Sequence, residues 1–470
     1  MVDTHEPVRT EVRRPRRADR RAAQRRRRRQ PRRRFFIAVA VLLLVLTAVG
    51  VAAIARRGPG IGLPSGEGDA TRAAGSTSAE ITDMTPASDR DSAILEDARR
   101  GLRALPAEWP IVRGVYSTMW SFAGPRWNYL MDLVRTTELN SLVIDVKDDD
   151  GQLAWRGSSV ALARAAGADR ATELTRQQAA ARIRELREAG GYPIARVVCF
   201  KDRILAPAKP DLAIGAAGGG VWRDRKGMAW LDANNRATWE YIVDIGREAA
   251  AMGFLEIQFD YVRFPTDGNV ATAVYANGGG VNPAAIRGFL AYAREELHKA
   301  GVRVSADIFG LTTYKLQGQG DGDGTGQLFE DVISEVDYVS PMVYPSHYYA
   351  GNYGLSKPEA NPYEVVSRAM DEGMGRIDGY RARMRPWLED FSLSVPHHPG
   401  RVSAQLRAAY EQGVDSWLLW NAGNRYSVPA LEPVLRSKAK PRPPSPPPVE
   451  PPPAEEAPAA QPEPGPESRP

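Results

Sequence analysis

Between residues 108 and 437, short apolar runs alternate with longer segments whose apolar residues recur at helical spacing. Short apolar runs are typical of buried parallel strands, and the longer pattern is typical of amphipathic helices. Several of the longer segments end in glycine, the residue that most often follows the end of a helix. The runs predicted as strands cover residues 113–118, 141–147, 195–200, 256–262, 303–310, 337–344, 384–390 and 415–421.

This alternation is the pattern of an α/β protein. Eight repeats of strand and helix predict a (β/α)₈ TIM barrel over residues 108–437. The segment has about 330 residues, which is a suitable length for one such barrel. An open, doubly wound parallel sheet is the main alternative, because it is built from the same alternation of elements.

Another apolar segment precedes the barrel. Residues 35–55 form a run of 21 residues without a charge, long enough as a helix to cross the roughly 30 Å hydrocarbon core of a membrane. The basic tail before it, residues 1–34, is expected on the cytoplasmic side. We therefore expect a single-pass cell-membrane protein with a cytoplasmic N-terminus and an extracytoplasmic barrel. A cleaved signal peptide is the alternative, since Ala53-Ile54-Ala55 resembles a cleavage site.

Two segments of biased composition flank the barrel. Residues 56–107 are rich in Gly, Ser, Ala, Thr and Asp, which predicts a flexible stalk. Residues 438–470 are predicted to be a disordered proline-rich tail, because proline at this density prevents helices and sheets. Such a tail suits a spacer through a cell wall, and a ligand for a partner domain is the other interpretation.

The charge distribution excludes one class of partner. The net charge is +5, but residues 1–34 alone contain 15 Arg and four acidic residues, so the remainder is mildly acidic. A mildly acidic barrel argues against a nucleic acid partner. The single cysteine, Cys199, cannot form an internal disulfide and is expected to be a small buried side chain in an apolar strand.

Polar side chains cluster where the predicted strands end, which is where barrel enzymes place their chemistry. The fourth run begins EIQFDYVRFPTDG and delivers Asp260, Tyr261 and Arg263 to such an end. A charge directly after an apolar strand is costly unless it is paired or used. The other strand ends carry Asp145, Lys147, Asp148, Asp307, Tyr344, Glu389 and Trp420.

Carboxylates beside aromatic rings indicate carbohydrate chemistry. Hydrolysis of a glycosidic bond needs two carboxyl groups, one protonated and one ionised. We predict Asp260 as one catalytic residue and either Asp307 or Glu389 as the second. The structural alternative for Asp260 is a salt bridge to Arg263 that only fixes the loop. For Asp307 it is pairing with Lys147 or Arg263. The residues predicted to bind substrate are Asp145, Lys147, Asp148, Tyr261, Arg263, Tyr344 and Trp420.

The motifs predict neither a metal nor a cofactor. Residues 321–332, DGDGTGQLFEDV, begin like a calcium-binding loop, but Val332 stands where such a loop needs a bidentate Glu. We interpret this segment as a glycine-rich loop between a strand and a helix. The chain also lacks the H-x-x-E-H and C-x-x-C patterns of zinc sites.

Six motifs together resemble a known family: GVYST, VIDVKDDDG, QFDYVRFPTDG, SADIFG, YVSPMVYPSHY and PWLEDF. They resemble the putative glycoside hydrolase domain of bacterial envelope proteins, over about residues 110–425. The resemblance implies a (β/α)₈ barrel, a carbohydrate substrate and an acidic site near the fourth strand. That strand is also similar to the D-x-D-x-E strand of chitinase-like barrels. Here Gln258, Asp260 and Val262 occupy the three acidic positions, so the substrate-assisted chitinase mechanism is not expected.

We interpret the chain as a membrane-anchored, extracytoplasmic glycoside hydrolase that acts on a cell-wall or extracellular polysaccharide. The alternative is a non-catalytic glycan-binding scaffold of the cell envelope, because the acids of the chitinase strand are incomplete. Carboxyl spacing discriminates between the two: pairs about 5–5.5 Å or 6.5–9.5 Å apart across a groove would favour catalysis, whereas carboxylates each paired with Arg or Lys would favour the scaffold.

Overall fold

The computed structural model describes residues 109–314 and 324–432. Eight parallel strands form the centre of this region, and three two-residue strands accompany them. In chain order the strands are β1 Arg113–Ser117, β2 Ser141–Lys147, β3 Tyr192–Val198, β4 Gly215–Ala216, β5 Glu256–Asp260, β6 Ala273–Val274, β7 Arg303–Phe309, β8 Tyr338–Val343, β9 Arg383–Met384, β10 Trp387–Glu389 and β11 Trp417–Trp420.

The parallel strands close into a barrel. They pair in the order β10-β11-β1-β2-β3-β5-β7-β8, and β10 also pairs with β8, with Trp387 opposite Met342 and Leu388 opposite Val343. An open sheet has no such closing pair. The structure therefore confirms the predicted barrel and excludes the doubly wound alternative.

The seventh predicted strand is divided in two. Its first part, β9, pairs with β8 and ends at Met384, and its second part, β10, begins at Trp387. Pro386 lies between them and has no backbone N–H to donate to a ladder. The division therefore follows from the sequence, although the whole run of residues 384–390 reads as one strand.

Helices surround the barrel and bury its outer face. In chain order they are α1 Met119–Ala123, α2 Arg126–Thr136, α3 Ala161–Ala166, α4 Arg176–Glu188, α5 Leu205–Ala208, α6 Arg236–Ala251, α7 Pro283–Lys299, α8 Phe329–Glu335, α9 Pro362–Ile377 and α10 Pro399–Glu411. Several of the longer helices begin at residues that are typical of helix N-termini. Thr175, for example, begins α4 with a capping box in which its hydroxyl and Gln178 satisfy each other's backbone N–H.

The outward residues of the strands are mainly apolar, whereas the inward positions combine polar residues with apolar ones such as Val143, Ile194 and Leu418. On β5, Ile257 and Phe259 join the core between barrel and helices, where Phe259 contacts Phe289 on α7 with ring centroids 5.1 Å apart. Gln258, between them, reaches Ser340 on β8 across the barrel interior at 3.1 Å. The interior of this barrel is therefore partly polar, and its polar groups converge on one another.

The floor of the barrel, at the N-terminal ends of the strands, is held by a buried ion pair. Arg385 donates twice to Glu256, and both side chains are fully buried. Tyr192 and Ser305 also donate to Glu256. A buried ion pair at this end suits a structural role, because barrel enzymes keep their chemistry at the opposite end.

Both ends of the described barrel also lie at this floor. Trp109 packs edge-on against Tyr338 at the start of β8, with ring centroids 5.3 Å apart. At the other end of the chain, the Glu432 backbone exchanges hydrogen bonds with Glu138, which accepts from Arg113 at the start of β1. The chain thus enters and leaves beside the N-terminal ends of the strands.

Two long loops at the C-terminal ends pair with each other. The loop after β3 contains β4, and the loop after β5 contains β6, which runs antiparallel to β4. The Trp222 indole N–H donates to the Asn269 carbonyl at 3.0 Å and fixes the two loops together. They form a joint wall above the ends of β3 and β5.

No helix within residues 109–314 and 324–432 is long and apolar enough to cross a membrane. The predicted basic tail, membrane helix and stalk (residues 1–34, 35–55 and 56–107) fall outside the described residues, as does the proline-rich tail of residues 438–470.

Candidate active site

Seven inward-facing side chains form a closed ring at the C-terminal end of the barrel, which we call the inner belt. Each parallel strand except β8 contributes one residue to it. Successive members are joined by hydrogen bonds, ion pairs or ring contacts, except Asp260 and Asp307, which follow the register pair Phe259–Ala306 on adjacent strands. In spatial order the inner belt consists of Tyr116, Asp145, Arg196, Asp260, Asp307, Trp387 and Trp420.

Arg196 is the centre of one half of the belt. Its Nη1 donates to Asp145, and its Nε and Nη2 both donate to the same Asp260 oxygen, the former at 3.1 Å. The Tyr116 hydroxyl donates to the other oxygen of Asp145. One cation is therefore shared between two carboxylates from neighbouring strands.

Rings and one further acid complete the belt. The Trp387 indole N–H donates to Asp307 at 2.8 Å. Trp387 then meets Trp420 edge-on with ring centroids 5.6 Å apart, and Trp420 stacks on Tyr116 at 3.9 Å. Trp420, predicted as a stacking ring for sugar, thus already covers one face of its ring with Tyr116.

The three carboxyl groups and the guanidinium of the belt have different electrostatic surroundings. Burial and the neighbouring Asp260 carboxylate raise the pKa of Asp307 well above its usual range. Burial disfavours the charge on Arg196, but the Asp145 and Asp260 carboxylates outweigh it and raise the pKa of Arg196. Burial also raises the pKa of Asp145. Asp307 therefore holds its proton to higher pH than an ordinary carboxyl group does, beside Asp260, which pairs with a cation.

This arrangement separates two carboxyl groups into an acid and a base. Environments that drive adjacent carboxyl groups apart in protonation provide the two roles that glycosidic cleavage needs. Access from solvent is narrow: Asp260 is 6% exposed, and Asp307 is 1% exposed. A ligand therefore reaches Asp260 more directly than Asp307.

Glu389, the other candidate for the second acid, has different surroundings. Its carboxylate accepts hydrogen bonds from the Ser346 backbone N–H at 3.0 Å and from the Ser346 hydroxyl at 2.7 Å. Arg401 lies 3.4 Å from its other oxygen, and Gln405 binds its backbone. Burial raises the pKa of Glu389. These bonds fix the loop after β8 to the end of β10, which gives Glu389 a structural task.

Tyr344 follows β8 directly and lies within electrostatic range of Asp307 and Asp260. Burial, with the Asp307 and Asp260 carboxylates, raises the pKa of its phenol well above the usual value. Its ring meets those of His347 and Phe391 edge-on at 5.4 and 5.6 Å. The structure thus brings Tyr344 to the side of the belt that β8 leaves open.

Tyr261 and Arg263 form a second group beside Asp260. Tyr261 has a left-handed backbone with φ of 48°, an uncommon conformation for a non-glycine residue. Its backbone N–H donates to Asp260 at 2.6 Å. The Lys201 ammonium lies 4.8 Å from the Tyr261 ring centroid, and the Arg263 guanidinium lies 5.1 Å from it. Arg263 also lies over the ring of Trp230 at 5.2 Å.

Lys147 does not reach the mouth. Its side chain is fully buried, 3.1 Å from Asp202, and donates to the Val198 carbonyl at 2.8 Å. The register between β2 and β3 shifts between Asp145 and Lys147, which is a β-bulge that reverses the facing of the following side chain. The predicted contact of Lys147 with substrate is therefore not available in this structure, and its pairing with Asp307 gives way to pairing with Asp202.

Asp148 lies in the turn after β2 and is partly buried. Its Oδ1 accepts from the backbone N–H groups of Asp150 at 3.0 Å and Gln152 at 2.8 Å. Burial, together with the Asp145 and Asp150 carboxylates, raises the pKa of Asp148 to about 6. Asp148 therefore titrates close to neutral pH at the edge of the mouth.

The sequence analysis missed three members of the belt: Tyr116, Arg196 and Trp387. A signal for Arg196 exists, because it is a charged residue within the apolar run ARVVCF and faces inward by alternation. Its partners on β2 and β5 also stand at inward positions of their strands. Asp260 pairs with this arginine, which replaces Arg263 as the ion-pair partner that the sequence suggested.

Within residues 109–314 and 324–432, no group of three or more His, Cys, Asp and Glu side chains has an arrangement suited to a metal ion. The carboxylates of the inner belt are instead bonded to Arg196, Tyr116 and Trp387.

The family comparison covers almost the whole described barrel. A family model with the description "Putative glycosyl hydrolase domain" matches residues 114–426. No protein with a curated description matches the chain.

Several solved structures are similar to this chain. A hypothetical protein from Ruminiclostridium thermocellum is 37% identical over 41% of this chain and 97% of its own, with a TM-score of 0.37. The PgaB (BpsB) glycoside hydrolase domain from Bordetella bronchiseptica is 14% identical over 66% of this chain and 94% of its own, with a TM-score of 0.48. TtGalA, an α-galactosidase from Thermus thermophilus, is 16% identical over 71% of this chain and 62% of its own, with a TM-score of 0.43.

Proposed function

The chain belongs to the family described as "Putative glycosyl hydrolase domain", and from this premise we propose that its inner belt hydrolyses glycosidic bonds of a polysaccharide. The observation that carries the proposal is the pair Asp260 and Asp307. The two residues follow the register pair Phe259–Ala306 on the adjacent strands β5 and β7, but Arg196 bonds Asp260, whereas Asp307 accepts from the neutral Trp387 indole. One acid and one carboxylate side by side are what the reaction needs.

In the proposed reaction, Asp307 is the general acid. It donates its proton to the glycosidic oxygen, so that the leaving sugar departs as a neutral alcohol. Asp260 supplies negative charge to the oxocarbenium-like transition state, as the base that activates water or as the nucleophile. With Asp307 protonated, the belt carries two carboxylates and one guanidinium. Its remaining negative charge complements the positive charge that develops on the sugar.

The other predicted site residues surround this pair. Tyr344 and Tyr261 present aromatic groups beside Asp260, and rings of this kind suit the apolar faces of sugars. Asp145 acts through Arg196. Asp148 and Arg263 stand at the rim of the mouth, where they suit contacts with sugar hydroxyls. Glu389 holds the wall of the mouth by fixing the loop that carries Ser346.

We also propose that the barrel works outside the cytoplasm, anchored by residues 35–55. The support is the uncharged 21-residue run behind an Arg-rich tail. A cell-wall or extracellular polysaccharide would be the substrate within reach of such an anchor.

A second candidate function is glycan binding without cleavage. It is favoured by the bonding of Asp145 and Asp260 to the same arginine, and by the small exposure of the belt. A site whose carboxylates serve only to hold Arg196 in place would bind a sugar chain and leave it intact.

Cleavage of polysaccharides by the full chain and by two variants tests these functions. Asp260→Asn and Asp307→Asn are each expected to lower the rate by at least about 100-fold, because each removes one half of the acid–base pair. Asp150→Asn is the matched control, since Asp150 lies outside the belt and pairs with Arg203. A panel of bacterial wall and exopolysaccharides supplies the substrates, and released reducing ends are measured.

Two outcomes contradict hydrolysis. Unchanged cleavage by both belt variants would remove the pair from the chemistry. Tight binding of a polysaccharide by the wild type, with no new reducing ends on any member of the panel, would establish the scaffold function instead.

A further inference from the structure

We propose that Arg196 is a positioning residue that assigns the two chemical roles: by bonding Asp260 on one side only, it makes Asp260 the charged group and leaves Asp307 to carry the proton. The inference rests on the proposed hydrolysis for its functional meaning. Its physical content, the location of one proton, is independent of any substrate.

Strand order explains why the arginine reaches one acid and not the other. β3 lies between β2 and β5, and β7 lies on the far side of β5. Asp145 stands directly opposite Arg196 in the β2–β3 register, and Asp260 stands two residues beyond the β5 partner of Arg196. The side chain therefore spans from Asp145 to Asp260. Asp307 is one strand further on.

The guanidinium is also prevented from moving toward Asp307. Asp145 holds Nη1, and the Tyr116 hydroxyl in turn fixes Asp145. The rings of Tyr116 and Trp420 lie 5.6 and 5.3 Å from the guanidinium carbon. Cation–π contacts of this kind and a two-sided clamp of carboxylates keep the charge in one place. Asp145 is thus the second anchor of Arg196 and not a substrate contact.

The charge balance of the belt explains why the fixed position of Arg196 matters for protonation. Three carboxyl groups and one guanidinium share a buried ring, and a low-dielectric site does not hold three carboxylates against one cation. One proton must remain, and it remains on Asp307, whose hydrogen-bond donor is the neutral Trp387 indole. Arg196 and Arg385 act on Asp307 only through longer-range electrostatics, and the Tyr344 phenol also lies within that range. Removal of Arg196 would leave Asp260 with the Tyr261 backbone N–H but without its cationic partner, and a second proton would enter the belt.

Infrared spectroscopy of the substrate-free protein as a function of pH tests the location of the proton. We expect a protonated-carboxyl band that persists to higher pH in Asp260→Asn than in Asp307→Asn, because Asp307 accepts from the neutral Trp387 indole, whereas Asp260 accepts from Arg196. Arg196→Gln is expected to add a further protonated-carboxyl band, which the double variant Arg196→Gln/Asp260→Asn lacks. Arg203→Gln removes a guanidinium from an exposed ion pair and serves as the matched control, with an unchanged spectrum.

The result that overturns the proposal is a band that persists to higher pH in Asp307→Asn than in Asp260→Asn. An unchanged spectrum in a folded Arg196→Gln protein also overturns it. If Arg196→Gln fails to fold, the comparison of the two aspartate variants still decides where the proton lies, and Arg196→Lys, which keeps a cation for one carboxylate, is expected to show no added band.

The pH profile of polysaccharide cleavage supplies the functional arm. The acidic limb is expected to move to higher pH by at least about one unit in Arg196→Gln, because Asp260 then loses its proton only at higher pH. A merely structural role would lower the rate without moving the limb, and that result would overturn the positioning role. If the wild type cleaves nothing, the proposed hydrolysis fails, while the infrared arm still decides the role of Arg196.

Discussion

At the scale of single residues, identical carboxyl groups in this barrel differ because their neighbours differ. Asp307 is surrounded by a neutral indole and a carboxylate, whereas Asp260 faces a guanidinium. Asp148 is intermediate, because it is only partly buried and accepts two backbone hydrogen bonds. Protonation is therefore a property of the pairwise surroundings and not of the residue type.

Asp148 gives a pH prediction with a definite sign. Its pKa rises from 3.8 to about 6 on folding, so between those values the folded chain holds a proton that the unfolded chain has released. Stability from this group is therefore lost as pH rises from about 4 to about 6. Relative to Asp148→Asn, which keeps the Oδ1 acceptor, the wild type should lose about 2 kcal/mol of unfolding free energy across this window.

Urea unfolding at several pH values measures this difference. Asp132→Asn is the control, because Asp132 is an exposed aspartate on α2, far along the chain from the turn that carries Asp148. Parallel pH profiles for wild type and Asp148→Asn would show that Asp148 does not change protonation on folding.

For single residues of the site, prediction from the sequence succeeded in some cases and failed in others. Asp260 and Asp307 could be found, because an acid at the end of an apolar strand is conspicuous. Lys147 was selected by the same reasoning, but the bulge in β2 turns it away from the mouth. Arg196 sits inside a strand, and its importance appears only when barrel closure brings β2, β3 and β5 together.

At the scale of elements, the end of β5 is shaped by one unusual residue. Tyr261 takes a left-handed conformation directly after Asp260, so the chain turns sharply and the Tyr261 N–H points back to the Asp260 carboxylate. Such a conformation costs about 1–2 kcal/mol in a residue with a Cβ. The strain is stored next to the proposed nucleophile or base, as strain often is at functional sites.

Substitution at Tyr261 tests that strain. Tyr261→Gly and Tyr261→Ala both lose the ring and differ only in their tolerance of positive φ. At an ordinary helical site Gly is less stable than Ala by about 0.5–1 kcal/mol. At position 261 we expect the order to reverse, with Gly at least as stable as Ala. Glu295, which is exposed within α7, is the control site for the same pair of substitutions. Chemical unfolding compares the four variants, and a more stable Tyr261→Ala would refute the strain.

The existence of strands and helices was predictable, but some boundaries were not. All eight apolar runs contain barrel strands. A barrel strand is buried on both faces, so its residues are either apolar or polar groups that face the barrel interior. The third strand begins at Tyr192, three residues before the predicted start, since Tyr192 and Pro193 pair with β2 although they interrupt the apolar pattern. Pairing with β2 therefore sets the start of the third strand, which the apolar pattern alone does not show.

At the scale of the whole molecule, the barrel contains a polar interior with a different task at each end. At the mouth, three carboxyl groups share one guanidinium, and burial raises the pKa of Asp307. At the floor, Arg385 and Glu256 neutralise each other in full burial. An ion pair of this kind adds little over apolar packing, but losing one partner leaves a buried charge without compensation.

The floor pair predicts a strong asymmetry between single and double variants. Arg385→Met should lower the unfolding free energy by about 3–5 kcal/mol, because Glu256 is left buried without its cation. The double variant Arg385→Met/Glu256→Met should recover most of that loss. The exposed pair Arg368–Glu364 is the matched control, where loss of the arginine should cost less than about 1 kcal/mol. If thermal unfolding showed that the stability losses of the two single substitutions simply add in the double variant, the prediction would be contradicted.

The position of the chain ends has a practical consequence for a large substrate. Trp109 and the Glu138–Glu432 contact join both covalent connections of the barrel to its floor. Residues 109 and 432, through which the described barrel joins the rest of the chain, therefore lie at the end opposite the inner belt. A long glycan bound across the belt, as proposed, would not have to pass either of these two connection points.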